Sequence, residues 1–260
     1  MRLTIVGCSG SFPGPDSAAS CYLIEVEDHD RVWRIVLDLG SGALGPLQQF
    51  VDLQQIDAVL ISHLHPDHFM DLCGLYVARR YHPAGCTGVP LPVYGPIDTA
   101  ERVLESYGTD ATGELPKVYD IRPLTDGGTV FVGPVMITTR RVEHPVLAYG
   151  MRIEHEGRVI AYSGDTDACD SLLDLARDAD LLLAEASYQE GRDETRGVHL
   201  TGRRAGEAAR DAGVRRLVLT HLPVWTDPDV VVNEARQVYL GPVEAATAGA
   251  GYALEDVRVR

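Results

Sequence analysis

Ala58-Val59-Leu60-Ile61-Ser62-His63-Leu64-His65-Pro66-Asp67-His68 runs from an apolar strand straight into three histidines and an aspartate within six residues. Four apolar residues in a row read as a buried strand. Pro66 argues against a continuous helix through the polar run, so the side chains are expected to fan out from a loop at the strand end. In that arrangement His63 and His65 can converge on one point, while Asp67 and His68 face a neighbouring one. Imidazoles and a carboxylate so close together suit Zn²⁺, which takes nitrogen and oxygen ligands at ~2.0–2.2 Å.

Further potential ligands sit where other strands are expected to end. His144 follows the β-like run Val135–Val142, and Asp165 ends Tyr162-Ser163-Gly164-Asp165-Thr166. Glu185 closes Leu181-Leu182-Leu183-Ala184, and His221 closes Leu217-Val218-Leu219-Thr220. Strand ends are where sheet folds commonly gather sites. With His63, His65, Asp67 and His68, the residues His144, Asp165 and His221 complete a seven-ligand, two-metal set, with one carboxylate free to bridge.

The rest of the chain alternates strand and helix. Strands are expected at Leu3–Cys8, Cys21–Glu27, Val32–Leu39, Leu91–Tyr94, Thr129–Val132, Leu147–Ile153 and Val159–Ser163. Helices are expected at Phe69–Arg80, Asp98–Tyr107, Ala168–Arg177, Thr201–Ala212 and Asp229–Tyr239. This pattern suits an α/β chain with two sheets packed face to face and helices outside, although periodicity alone also admits a doubly wound sheet. The 260 residues show no low-complexity linker and read as a single domain, 1–260.

Composition narrows the function classes. The net charge of −15 opposes long-range attraction to polyphosphate, so nucleic acid is not an expected partner. Mean hydropathy is −0.05, and no apolar run approaches the ~18 residues that a membrane span needs. The N-terminal run Met1-Arg2-Leu3-Thr4-Ile5-Val6 reads as a strand, and a cytoplasmic location is the expectation. Five cysteines (Cys8, Cys21, Cys73, Cys86, Cys169) form no C-x-x-C pair, which speaks against a disulfide framework or a cysteine zinc site. They are expected to be small buried hydrophobes.

The histidine–aspartate pattern resembles the metallo-β-lactamase superfamily, which implies a four-layer αβ/βα sandwich. The resemblance assigns one zinc to His63, His65 and His144, and a second to Asp67, His68 and His221, with Asp165 and a hydroxide between them. Asp38, closing Ile35-Val36-Leu37-Asp38, matches the early aspartate that orients a ligand histidine from behind. Asp165 stands where the antibiotic-hydrolysing branch has cysteine, and His65 is not the glutamate of the di-iron branch. Glu143-His144-Pro145 lacks the H-T-P-G-H context of thioester and lactone hydrolases.

What remains resembles the ribonuclease Z-type phosphodiesterases, through Tyr162–Thr166, Glu185-Ala186-Ser187-Tyr188 and His199-Leu200-Thr201. That resemblance gives catalytic roles to Asp67, Glu185 and His199, the last two as a pair beside the metals. Only 20 residues separate His144 from Asp165, and they read as two strands with a Glu156-Gly157 turn. They leave no room for the long tRNA-gripping arm of true tRNA-processing members.

Gly7–Ser11, Arg79–Pro83 and Leu219–Thr226 further resemble the atypical class II cyclic-nucleotide phosphodiesterases of actinobacteria. The implied cofactors are two Zn²⁺, with Mn²⁺ or Fe²⁺ as substitutes, and the implied partner is a small phosphodiester such as a 3′,5′-cyclic nucleotide. Relatives in that branch are often dimers, which makes a homodimer an expectation.

Tyr188 and Trp225 lie just beyond metal-site segments and are candidates to stack on a nucleobase. Arg79 and Arg80 could meet phosphate or form a solvated helix end, and the glycine-rich Gly7–Ser20 could cradle phosphate or simply turn the chain. RNA 3′-end cleavage, hydrolysis of another small cyclic phosphate and an inactive metal-binding protein are the alternative functions.

Overall fold

The computed structural model describes residues 1–83, 88–108 and 112–254. In chain order the first half holds β1 (Arg2–Ser9), β2 (Ala18–Ala19), β3 (Cys21–Asp28), β4 (Arg31–Leu39), α1 (Leu44–Leu47), a 3₁₀ turn (Leu53–Gln55), β5 (Ala58–Leu60), α2 (Pro66–Phe69), α3 (Leu72–Arg80), β6 (Leu91–Gly95), α4 (Thr99–Tyr107), α5 (Leu115–Val118) and β7 (Tyr119–Pro123). The second half holds β8 (Thr129–Val132), β9 (Val135–Arg141), β10 (Tyr149–His155), β11 (Arg158–Tyr162), α6 (Asp170–Ala176), β12 (Leu181–Glu185), α7 (Gly202–Asp211), β13 (Leu217–Thr220), α8 (Pro228–Arg236), β14 (Val243–Ala245) and β15 (Gly251–Ala253).

These strands form two sheets. One runs β15-β1-β3-β4-β5-β6-β7 with β2 beside β1, and the other β14-β13-β12-β11-β10-β9-β8. Each sheet is antiparallel on one side and parallel on the other: β4, β5, β6 and β7 pair in parallel, as do β11, β12, β13 and β14. The parallel halves put the carboxyl ends of β4, β5, β11, β12 and β13 together at one end of the molecule, where open α/β sheets gather ligands.

Period-2 alternation feeds apolar side chains to both faces of each sheet. Ile35 and Leu37 of β4 point between the sheets, packing with Ile137, Ile153, Ile160 and Leu183 from the opposite one. Val36 and Leu39 point outward, under Leu47, Phe69, Leu72 and Leu75 of the helices. On the far side Ala161, Leu182, Ala184 and Leu219 pack beneath Leu172, Ala205, Ala209 and Val231. The four-layer sandwich expected from the sequence is the observed fold. The alternative of one doubly wound sheet is excluded by the two separate strand orders.

Cross-sheet hydrogen bonds concentrate at the same end. Leu222 N–H donates to Cys8 C=O (3.2 Å) and Gly10 N–H to Leu222 C=O (3.0 Å), while Tyr149 N–H donates to Ser62 C=O (3.0 Å). The Tyr22 and Thr220 hydroxyls meet at 2.8 Å, and Tyr162 OH donates to Asp38 Oδ2 at 2.6 Å. A close backbone approach explains one glycine there: a Cβ on Gly40 would lie 1.9 Å from Asp67 C=O.

Some local expectations fail for identifiable reasons. The helix expected over Phe69–Arg80 divides at Met70 and Asp71, where Asp71 N–H leaves the helix ladder to donate to Leu39 C=O at 3.1 Å. Strands β2, β7, β14 and β15 fall outside the expected set; all are short, the last three lie at sheet edges, and β7 ends in a proline. Arg79 is no solvated helix end: it is buried and donates to Leu53 C=O at 3.0 Å, and Arg80 pairs with Glu114 at 2.6 Å. Cys8 and Cys21 are buried as expected, Cys73 and Cys169 are half-buried, and Cys86 lies outside the described residues. Among the described residues no helix is long and apolar enough to cross a membrane.

Candidate active site

The polar run after β5 is not the loop that Pro66 suggests. Pro66 occupies the first position of α2, where its missing N–H costs nothing, and His65 precedes it in extended conformation. That single helical turn re-aims Asp67 and His68 away from His63 and His65. His63 and His65 do converge, with Nε2 and Nδ1 at 2.9 Å, and His144 brings its Nε2 within 3.3 Å of the same His65 nitrogen. Asp165 Oδ2 lies 3.7 Å from His63 Nε2.

A second cluster adjoins the first. His221 Nε2 lies 3.0 Å from Asp67 Oδ2 and 3.3 Å from His68 Nε2. Asp165 faces this cluster too, with Oδ1 3.3 Å from His68 Nε2 and Oδ2 3.4 Å from His221 Nε2. Donor atoms of His63, His65, His144 and Asp165 form one candidate metal group, and those of Asp67, His68, Asp165 and His221 form another. Asp165 is the shared member.

The donor set fits divalent cations on two counts. Four ligands at the ~2.0–2.1 Å of zinc–nitrogen bonds stand ~3.3 Å apart at the corners of a tetrahedron, the spacing seen in both clusters. Asp165 Oδ1 is buried without a hydrogen bond, although His68 Nε2 is 3.3 Å away. With only the His68 charge beside it and no aligned donor, this buried carboxylate oxygen is open to a cation that replaces the His68 proton.

The surrounding shell orients several donors. His68 Nδ1 donates to Asp38 Oδ2 at 2.8 Å, leaving Nε2 for the cluster, and His144 Nδ1 donates to Val198 C=O at 2.8 Å with the same effect. Asp38 is fully buried and also accepts Ser62 N–H (2.6 Å) and Ser62 Oγ–H (2.8 Å). Asp38 and His221 hold left-handed backbone at φ 55° and 57°, a costly conformation concentrated at functional sites. The glycine-rich N-terminal segment turns inward here: Ser11 N–H reaches His221 Nε2 at 3.3 Å, and a Cβ on Gly10 would lie 2.4 Å from His221 C=O. The segment thus serves to hold the His221 loop.

Electrostatics separate the clusters. Burial pushes His63, His65 and His144 below the ordinary imidazole range, so they are neutral. For His68 burial acts the same way but is outweighed by the charges of Asp165 and Asp38, and it is held well above that range. Burial raises the carboxyls of Asp67 and Asp165, but the neighbouring imidazoles His221 and His68 outweigh it and hold both far below the usual carboxylate range.

Beside the clusters, His199 Nδ1 donates to Glu185 Oε1 at 2.8 Å and stands 3.9 Å from Asp165 Oδ2. Glu185 is fixed by Thr166 N–H (2.9 Å) and Ser187 N–H (3.0 Å). Burial lowers the His199 imidazole, but Glu185 and Asp165 outweigh it and push it up to about 9. Tyr188 packs edge-on against His199 at 5.0 Å between ring centroids, and the exposed Trp225 contacts Phe12 at 5.4 Å. The orienting groups Ser62, Tyr162 OH and Val198 C=O carry no recognisable spacing signal in the sequence. They act through side chains or carbonyls that only the folded strand ends bring near.

Residues 33–222 match the family model of the beta-lactamase superfamily domain. An uncharacterized protein of Mycobacterium leprae is 45% identical over 253 residues, covering 96% of this chain and 87% of its own. The probable metallo-hydrolase YhfI of Bacillus subtilis is 33% identical over 253 residues, covering 96% and 98%, and its crystal structure superposes with a TM-score of 0.86. Ribonuclease Z of Myxococcus xanthus is 28% identical over 307 aligned positions, covering 96% of both chains, so it carries several dozen residues without counterpart here. Between His144 and Asp165 this chain has only the β10–β11 hairpin, turned at Glu156 and Gly157 with φ of 48° and 75°. Fold, relatives and the missing arm agree: the chain belongs to the metallo-β-lactamase superfamily, as a metallo-hydrolase of its arm-less, ribonuclease Z-like branch.

Proposed function

We propose that this hydrolase cleaves phosphodiester bonds at a two-zinc centre, with 3′,5′-cyclic nucleotides as substrates and 5′-nucleotides as products. The observation that carries the reading is Asp165 shared between two donor clusters, with the His199–Glu185 pair 3.9 Å from its carboxylate. His63, His65 and His144 would hold one cation and Asp67, His68 and His221 the other. Zn²⁺ is the first choice for imidazole-rich donors, and Mn²⁺ or Fe²⁺ are substitutes. When bound there, two such cations would supply a clamp on phosphoryl oxygens and a water ionised at neutral pH.

The chain's own groups do the rest. Asp67, held ionised, accepts a hydrogen bond that orients the attacking water. His199, kept protonated by Glu185, donates its proton to the 3′ oxygen as the P–O3′ bond breaks, a step worth ~10²–10⁴-fold. Tyr188 beside His199, and Trp225 with Phe12 beyond the His221 loop, flank the site as surfaces for the base. A small substrate is favoured over an RNA body by the net charge of −15 and by the short hairpin in place of an arm.

RNA 3′-end cleavage is the second reading, favoured by the ribonuclease Z relative. The unpaired cysteines suit a reducing cytoplasm, and a homodimer belongs to the same proposal. The test is zinc-loaded protein assayed on cyclic AMP, cyclic GMP, 2′,3′-cyclic nucleotides, bis(p-nitrophenyl) phosphate and a tRNA precursor. Turnover of a 3′,5′-cyclic nucleotide supports the reading; cleavage of the precursor alone replaces it with the second.

A further inference from the structure

Asp167 lies two residues beyond Asp165 and belongs to neither donor cluster. Its side chain is only 3% exposed, yet both oxygens are saturated. Oδ2 accepts Arg196 Nε–H at 2.7 Å and Gly197 N–H at 2.8 Å. Oδ1 accepts Ala168 N–H at 2.7 Å and a further bond from the Arg204 guanidinium. Arg196 and Gly197 lie just before His199. Arg204 lies in the first turn of α7, whose N-cap is Thr201, with Oγ1 accepting Arg204 N–H at 3.2 Å. The backbone of Asp167 also donates to Glu143 C=O at 2.8 Å, beside His144.

One side chain therefore ties the loop bearing Asp165 to the loop bearing His199, and its backbone ties both to the loop bearing His144. The stretch from 189 to 199 has no helix or strand of its own. A loop of that kind takes its position from anchors at its ends. Charge-assisted bonds to two guanidiniums are the strongest anchors of this sort.

We propose that Asp167 is a positioning residue that fixes where His199 stands relative to Asp165, and hence how well the leaving oxygen is protonated. The inference rests on the phosphodiesterase reading with His199 as proton donor.

The test compares Asp167→Asn and Arg196→Ala with the parent chain, all zinc-loaded. Two diesters are used: bis(p-nitrophenyl) phosphate, whose leaving group departs without a proton, and 3′,5′-cyclic AMP, whose alkoxide needs one. A misplaced catalytic group can cost ~10²-fold, so Asp167→Asn is expected to lower kcat on the cyclic nucleotide by ~10–100-fold with KM nearly unchanged. That loss should exceed the loss on the aryl diester at least ~10-fold, because only the alkoxide relies on general-acid help. Arg196→Ala removes a largely exposed guanidinium and carries the test if Asp167→Asn does not fold; a smaller loss in the same direction is expected.

Amide hydrogen exchange over 195–200 should quicken in either variant. Equal losses on both diesters, or unchanged exchange over 195–200, would overturn the proposal. Should the parent chain hydrolyse neither diester, the phosphodiesterase reading falls, and the exchange rates alone keep or reject the clamp.

Discussion

The two donor clusters share Asp165 but are built differently. His63, His65 and His144 are imidazoles that burial keeps neutral, so they present free lone pairs at once. The Asp67–His68–His221 cluster is charged, with His68 held protonated between Asp165 and the buried Asp38. A cation entering there must displace the His68 proton, whereas one entering the first cluster displaces none. The sign follows from that: affinity of the second cluster rises with pH across the neutral range, and affinity of the first falls off only at lower pH. The clusters should therefore load in sequence at acid pH and together at alkaline pH.

The largest change should come from removing what the clusters share. Asp165→Ala should abolish paired loading, dropping metal content below two per chain. It should reduce turnover by more than the ~10⁴-fold upper range for loss of a proton donor. Metal analysis and rates on one diester check this together.

His199→Ala should separate metal binding from proton transfer, leaving both cations bound while kcat on an alkoxide-leaving diester falls ~10²–10⁴-fold. Because His199 is raised to about 9, it is protonated across the neutral range, and kcat/KM should decline only as pH rises through about 9. Glu185→Gln should pull that alkaline limb down towards the ordinary imidazole range near ~6.5. A pH–rate profile with no movement of the limb would remove the pair from the mechanism.

Asp38→Asn sharpens the contrast between clusters. Asparagine tolerates the left-handed backbone at φ 55° but lacks the charge that holds His68. Above the pH at which His68 gives up its proton, the second cluster should lose ~10–100-fold in metal affinity while the first is unchanged, because His68 loses the carboxylate that orients it and strengthens it as a ligand; this reads as a titration with one tight and one weakened step. Equal weakening of both steps would contradict the division. The smallest effect belongs to the rim: Trp225→Ala should raise KM for a cyclic nucleotide ~2–13-fold, the equivalent of ~0.5–1.5 kcal/mol of aromatic contact, with kcat unaffected.

The same two clusters show what a sequence can disclose. His63, His65, Asp67 and His68 are legible because one short run carries them, and donors packed so densely at a strand end suit little besides a metal. His144, Asp165, Glu185 and His221 are single residues, each at the end of its own strand, and are legible only as a set. Their convergence depends on two sheets that meet at their carboxyl ends, which periodicity alone does not choose over a doubly wound sheet. The helical turn at Pro66–Phe69 escapes a sequence reading because proline breaks a helix interior but fits its first turn. Asp167 and the Val198 carbonyl stay hidden, and Tyr162 shows as part of a motif but not as the donor to Asp38, because all three act on neighbours contributed by other strand-end loops.

The most direct test is the metal content of the purified chain, measured beside its rate on a cyclic nucleotide before and after chelation. Two divalent cations per chain are expected, with hydrolysis that disappears on chelation and returns with zinc. Hydrolysis that survives complete removal of metal, or a chain that binds none when His63, His65, Asp67, His68, His144, Asp165 and His221 are intact, would contradict that expectation.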